Sequence, residues 1–381
     1  MNLRVYCYCR DNPLAYQDDV VVLAEGLREL GVGVYGNCPY WRQTPGADDW
    51  LVTFDPRIGP DDCDIVVVSR RWARWLDNQF GVHESPLPGG LFKAGRRYRT
   101  AFFDFSDGYA TESWRPEYRP FDVIFRAKFN RRCYHPGNHR PWALGLSARV
   151  LRATAAPRPW AHRRRDLLIN FNASHAFVHQ ARALMERRFT PLAARQFTIN
   201  RHCDNLREPP SEPYDRLMWE QTQRRHSRDY YERLGSSQAV AAFCGWLIPA
   251  APFAPNYLVG GHRAQIRCAW HEILDRFDPR PRRLIQWDSW RFWEALAAGC
   301  LVFNFDLPHF GVALPVMPAD FVHYVAVRPD NAAAVLARLA AEPGLAEQIA
   351  AQGRAWALTH YAPRPSARRF LLELGFEPPP A

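Results

Sequence analysis

Gln286-Trp-Asp-Ser-Trp-Arg-Phe-Trp-Glu-Ala-Leu-Ala-Ala-Gly-Cys-Leu-Val-Phe-Asn-Phe-Asp306 reads as a helix from Ser289 to Ala298 that passes through a glycine into a buried strand, Leu301 to Phe305. Asp288 or Ser289 is placed to cap the helix. At helical spacing Arg291, Glu294 and Ala298 share one face and Trp290, Trp293 and Ala297 another, so one face is charged and the other packs. A helix start offers unpaired N–H groups and the positive end of a dipole to a diphosphate. Arg291 adds charge, and Glu294, one turn on, can accept hydrogen bonds from vicinal hydroxyls such as those of a ribose. That pairing fits a nucleotide sugar.

Outward from this block the alternation of strand and helix continues. Toward the amino terminus, Leu167 to Asn170 and Ala239 to Cys244 read as strands, and residues 175 to 188 as a helix. Toward the carboxyl terminus, Val322 to Val327 is followed by helical patterns over Ala333 to Leu339, Leu345 to Leu358 and Ser366 to Leu374. The first part of the chain repeats the theme: a strand from Leu3 to Cys9, then a helix with Val20, Leu23, Ala24, Leu27 and Leu30 on one stripe, stopped by Gly31. Strands at Gly33 to Tyr35, Asp64 to Ser69, Tyr98 to Phe105 and Phe121 to Phe125 follow, and the β-branched run Ile65 to Val68 suits a parallel strand covered on both faces. The pattern predicts doubly wound α/β architecture in two halves, residues 1–150 and 151–360, with a helical tail, 361–381, that can pack back on the first half. The Pro- and Arg-rich stretch Arg152 to Arg165 reads as the linker. The two halves show no sequence repeat.

Composition removes several classes. The 381 residues include 14 Trp, 15 Tyr and 23 Phe, ample for a large core and incompatible with a disordered chain. No apolar run approaches membrane-span length, and the start lacks the apolar stretch and cleavage site of an export signal. The expectation is therefore a cytoplasmic protein whose nine cysteines are thiols. No CxxC occurs, and His175 and His179, four apart, have no third ligand at a recognisable spacing, so no metal site is expected. The formal charge of +10 comes almost wholly from arginine, Lys93 and Lys128 being the two lysines. Its densest clusters, Arg163 to Arg165 and Arg280 to Arg283, flank prolines and read as solvated loops, which argues against a nucleic-acid partner. Neither a Gly-x-x-x-x-Gly-Lys loop nor a Gly-x-Gly-x-x-Gly fingerprint is present, so a P-loop NTPase and an ordinary nicotinamide enzyme are unsupported.

The 286–306 block resembles the donor-site signature of GT-B glycosyltransferases, in which a helix ending in Glu-Ala, three small or apolar residues and Gly runs into a strand. Residues Tyr230-Tyr-Glu-Arg-Leu-Gly-Ser-Ser-Gln-Ala-Val-Ala-Ala-Phe-Cys-Gly245 are similar to the upstream partner of that block in exostosin-like and CgeB-like families, and Asp320 to Val327 and Ile349 to Trp356 are similar to the usual carboxyl-terminal pattern. The resemblance covers residues 225 to 375 and leaves the first half unmatched. It implies a GT-B architecture, two Rossmann-like domains facing a cleft, and transfer of a sugar from a nucleoside diphosphate sugar to a hydroxyl acceptor such as a glycan, a cell-surface polysaccharide or a natural product. No cofactor beyond that co-substrate is implied. Glu294 becomes the ribose ligand, and Gly245 and Asp306 lie at the donor side. Retaining members commonly carry a second Glu eight residues earlier, where this chain has Gln286, so the reading turns to an inverting enzyme.

An inverting enzyme needs a general base. Asp104 and Asp107, in Phe102-Phe-Asp-Phe-Ser-Asp-Gly108, stand where a strand gives way to a turn at the carboxyl end of a sheet, and are the candidates. Asn172, Ser174 and His175, after the first strand of the second half, are candidate phosphate or sugar contacts, and Arg126 and Lys128 lesser ones. Asp62-Cys-Asp64 precedes its strand, which disfavours metal-dependent GT-A chemistry. Arg291-Phe-Trp-Glu294 is also similar to the donor helix of a phage DNA glucosyltransferase. Two alternatives follow: a nucleic-acid-modifying transferase, and a nucleotide-sugar-binding protein without turnover.

Overall fold

The computed structural model describes residues 3–10, 20–76, 82–106, 112–133, 135–171, 180–202, 208–248 and 282–379. Its first sheet has six parallel strands: β1 (Arg4–Tyr8), β2 (Gly33–Gly36), β3 (Ile65–Ser69), β4 (Arg99–Asp104), β5 (Val123–Ala127) and β6 (His139–Trp142), in the order β6-β5-β4-β3-β1-β2. The second has five: β7 (Arg164–Ile169), β8 (Thr198–Arg201), β9 (Ser237–Ala241), β10 (Leu301–Phe305) and β11 (Val325–Val327), in the order β8-β7-β9-β10-β11. Both orders reverse direction once, between β1 and β3 and between β7 and β9. Two halves without sequence similarity thus share one winding, and each places a ligand crevice at the carboxyl ends of its strands.

The central strands are mostly apolar, as strands covered on both faces must be: every residue of β3 and β10 is buried, Ser69 and Asn304 being the polar ones. β6 was not legible as a strand, because Pro141 interrupts it; at the edge of the sheet the missing N–H costs no ladder bond.

The helices used below are α1 (Val21–Glu29), α2 (Ala148–Ala153), α3 (Gln180–Arg188), α4 (Pro213–Gln221), α5 (Arg228–Ser236), α6 (Trp290–Ala297), α7 (Leu345–Tyr361) and α8 (Pro363–Glu373). Among the described residues none is long and apolar enough to cross a membrane.

The halves are stitched together at several points. α8 returns to the first half, where Ala367, Phe370, Leu371 and Leu374 join the core that includes Val21, Leu23 and Leu27. A Cβ on Gly26 of α1 would lie 1.9 Å from the carbonyl oxygen of Pro363, so this contact requires a bare backbone. α4 also leans on the first half: Met218 is buried there, and Gln221 accepts from the Arg42 amide and donates to the Arg42 carbonyl. Asn130, just past β5, donates to the carbonyls of Leu284 and Phe310.

Arg163, expected in a solvated loop, is buried instead. Its guanidinium donates to the carbonyls of Ala298 and Gly299, which leave the carboxyl end of α6 without helical partners.

Candidate donor site and the opposing carboxylate

The crevice of the second half opens between the ends of β7 and β9, and α6 points its amino terminus there. Ser289 is the N-cap of α6 with extended backbone, but its hydroxyl makes no capping bond. Asp288 does not cap either. One of its carboxylate oxygens accepts from Trp293 Nε1 at 2.6 Å and the other from the Leu144 amide at 2.8 Å, which ties the start of α6 to the chain crossing between the halves. Burial raises the Asp288 pKa to about 6 against these two bonds and the nearby Lys128 charge. Four polar side-chain atoms around this helix start are buried with no hydrogen-bond partner among the described residues: Asn170 Oδ1, Gln286 Oε1, Ser289 Oγ and Arg291 Nε. Gln286 also holds a left-handed backbone, φ 51°. Buried polar atoms are normally satisfied, so four together single out this helix start as the candidate site.

Two guanidiniums flank the same crevice. Arg182, in the first turn of α3, and Arg291, in the first turn of α6, lie 5.4 and 5.9 Å from the centroid of the Phe171 ring. Arg182 is buried, donates to the Phe243 carbonyl and reaches Cys244 Sγ at 3.2 Å. Burial lowers its pKa, Cys244 opposes that shift and Arg291 adds to it. Arg182 was missed in the sequence, since among 49 basic residues nothing in the spacing sets it apart.

Glu294 sits one turn into α6 and is 4% exposed, not on an open charged face as the helical spacing suggested. Tyr230 and Tyr231 of α5 donate to its two oxygens at 2.9 and 3.1 Å, and Arg149 of α2 stands 3.9 Å away. Burial raises its pKa, and Arg149 and the two hydroxyls pull the other way. The opposite side of α6 packs as expected: Trp293 lies against Trp356 and Tyr361, with ring centroids 6.0 and 4.5 Å apart.

Gly245 serves the backbone. At φ 98° it passes so close to the short strand Arg283–Ile285 that a Cβ would lie 2.3 Å from the Ile285 carbonyl oxygen. Asp306, just after β10, accepts from the His309 amide at 3.0 Å and from Arg328 at 3.2 Å. Asp107, Asn172, Ser174 and His175 lie outside the described residues.

Across from this crevice, Asp104 ends β4 with no exposure at all. Arg126 of β5, itself 2% exposed, pairs with it at 2.9 Å. Ser113 donates to the same carboxylate and lies 3.1 Å from His139 Nε2, and the Ser106 amide donates at 2.9 Å. Burial drives the His139 pKa down to about 4. Lys128, with φ 64°, follows β5 and faces Asp288. Among the described residues no group of three His, Cys, Asp or Glu side chains could hold a metal ion.

The sequence matches no protein-family model and no curated protein. Its fold is similar to that of an alpha-glucosyltransferase solved with UDP and a 13-mer DNA containing a HMU base, at 7% identity and TM-score 0.53, over 98% of this chain and all of the other. A complex of an alpha-glucosyltransferase with UDP-glucose and DNA containing an abasic site aligns at 8% identity and TM-score 0.53, over 98% and 99% of the two chains. A glycosyltransferase from Rickettsia africae ESF-5 aligns at 11% identity and TM-score 0.51, over 98% and 97%. The chain has the GT-B glycosyltransferase fold: two Rossmann-like halves facing a cleft, with a helical carboxyl-terminal tail.

Proposed function

We propose that this protein is a glycosyltransferase that moves a sugar from a nucleoside diphosphate sugar to a hydroxyl acceptor. The observation that carries the reading is the arrangement at α6: a helix start with unsatisfied polar atoms, two guanidiniums beside it, and a carboxylate one turn further on. The α6 amides, Arg182 and Arg291 hold the diphosphate and stabilise its charge as it leaves, in place of a metal ion. Glu294 takes the ribose hydroxyls. Its present partners are neutral hydroxyls, so an incoming diol exchanges for them without breaking a close ion pair. UDP sugars are the first donors to try, because the similar enzymes were captured with UDP and UDP-glucose.

The step itself is an inverting displacement. An acceptor oxygen forms a bond to the anomeric carbon as the bond from that carbon to the phosphate oxygen breaks, the diphosphate leaves, and the acceptor proton passes to the Asp107 carboxylate. Asp104 is the weaker base of the two, being engaged by Arg126. The reaction takes place in the cytoplasm, where the seven described cysteines, none of them in a disulfide, stay reduced.

Calorimetric titration of UDP and UDP-glucose into the wild type and Glu294→Gln tests the donor site, and the anomeric configuration of the product tests the step. Equal affinity in both proteins removes Glu294 from the site. A product that keeps the donor configuration removes the need for Asp107. A nucleic-acid acceptor is the second reading, favoured by the DNA in two of the similar complexes. DNA affinity falling steeply with salt would support it.

A further inference from the structure

A second pocket, of about 380 Å³, lies where α2, α4 and α5 meet beside the crossing between the halves. That is within the range of small-molecule sites. Its wall includes Arg149, Arg152 and Arg158 from α2 and the segment after it, Tyr214 and Asp215 from α4, and Arg228 at the start of α5. Some of these charges are already spent. Asp215 bonds His226 at 3.1 Å and has Arg228 at 4.0 Å, while the Glu212 carboxylate accepts the Asp215 amide at the start of α4. Arg152, whose charge reaches the Glu212 carboxyl, and Arg158 are held less closely. Both are exposed, Arg152 lies over the Tyr214 ring at 3.9 Å, and neither side chain makes a hydrogen bond or ion pair among the described residues. Glu232, one turn along α5, adds an exposed carboxylate to the same wall.

Two available guanidiniums beside available carboxylate oxygens describe a ligand with an anionic group and several hydroxyls. We propose that this pocket is a second ligand site, for a sugar phosphate or a similarly small phosphorylated polyol, with the phosphate met by Arg152 and Arg158 and hydroxyls accepted by Glu232. The pocket also shares a wall with the donor site. Arg149 donates to the Tyr231 hydroxyl at 2.8 Å, and that hydroxyl donates to Glu294. An occupant that draws on Arg149 or Tyr231 therefore changes how Glu294 is held, and donor and occupant alter one another's affinity by the same factor. Binding stands on the pocket alone; the coupling rests on the reading of Glu294 given above.

Glucose 6-phosphate is the probe, titrated calorimetrically into the full chain as wild type, as Arg152→Gln/Arg158→Gln and as Arg291→Gln, with thermal unfolding confirming that each variant folds. The double variant is expected to lose at least tenfold in affinity and Arg291→Gln to keep the wild-type value. No binding to the wild type, an unchanged double variant, or a loss confined to Arg291→Gln overturns the site, the last by placing the phosphate in the donor crevice. UDP affinity should shift at least threefold with glucose 6-phosphate bound to the wild type, and not in the double variant. An identical UDP affinity with and without the occupant overturns the coupling.

Discussion

Asp104 and Glu294 occupy comparable places, each at the cleft end of one of two sheets wound in the same order, yet they are held in opposite ways. Asp104 is fully enclosed and ion-paired at 2.9 Å, while Glu294 is held by two hydroxyls with its arginine 3.9 Å off. Separating a buried pair leaves one charge uncompensated, whereas exchanging one hydroxyl for another preserves the count of bonds. On the proposed function, a strand-end or helix-start carboxylate is architecture in the first half and a site in the second, and the partners are what tell them apart.

The sharpest separation is kinetic. Asp107→Asn should lower the transfer rate ~10²–10⁴-fold with unfolding midpoint and donor affinity unchanged, and Asp104→Asn should do the reverse. If the two variants lose the same activity and the same stability, the distinction between them is gone. Next in size, Arg126→Leu leaves Asp104 buried without its counter-ion and should cost ~3–5 kcal/mol in urea unfolding. A neutral outcome would mean that water reaches that carboxylate.

Glu294→Gln should weaken donor binding by ~1.5–3 kcal/mol. Glutamine is the instructive replacement, since alanine would strand Arg149 and two tyrosine hydroxyls and confuse binding with stability.

A smaller effect is read from pH. His135, His139 and His226 are held neutral by burial, with pKa values lowered to about 4 from 6.5. Between those limits the unfolded chain takes up protons that the folded chain refuses, so stability falls on acidification from pH 6.5 toward 4. Asp288 works against this. Its folded pKa, about 6, exceeds the ordinary 3.8, so the folded chain binds the extra proton and gains relative stability as pH falls through 6. Asp288→Asn should therefore lose more stability than the wild type between pH 6.5 and 4.5, and an equal or smaller loss in urea midpoints would show that burial does not raise this carboxyl. The smallest expected effect is none: transfer should persist in EDTA, and a loss restored by magnesium or manganese would show that arginines do not carry the leaving diphosphate.

What the sequence disclosed follows from local chemistry. Periodicity and β-branched runs located β3, β10 and α6 within a residue or two, because those elements are decided by which side chains must be buried. Tyr230 and Tyr231 stood in the motif, but their hydroxyls meet Glu294 from a helix more than sixty residues away in sequence, a pairing that no spacing encodes. Arg149 and Arg182 were lost among 49 basic residues, since a buried arginine differs from a solvated one only in tertiary surroundings. Asp288 misled as a cap: the residue type suited that role, and the Trp293 indole in the same helix and the distant Leu144 amide claimed it instead.

The docking of α8 on α1 bears on how the chain is born. α1 leaves the ribosome long before Ala367 to Leu374, which pack into the same core. At roughly 5–20 residues per second, α1 waits on the order of 20–70 s for them. Until then the core of the first half lacks Ala367, Phe370, Leu371 and Leu374. Because Gly26 admits no side chain against Pro363, one added methyl there would keep α8 from closing that core even after it is made.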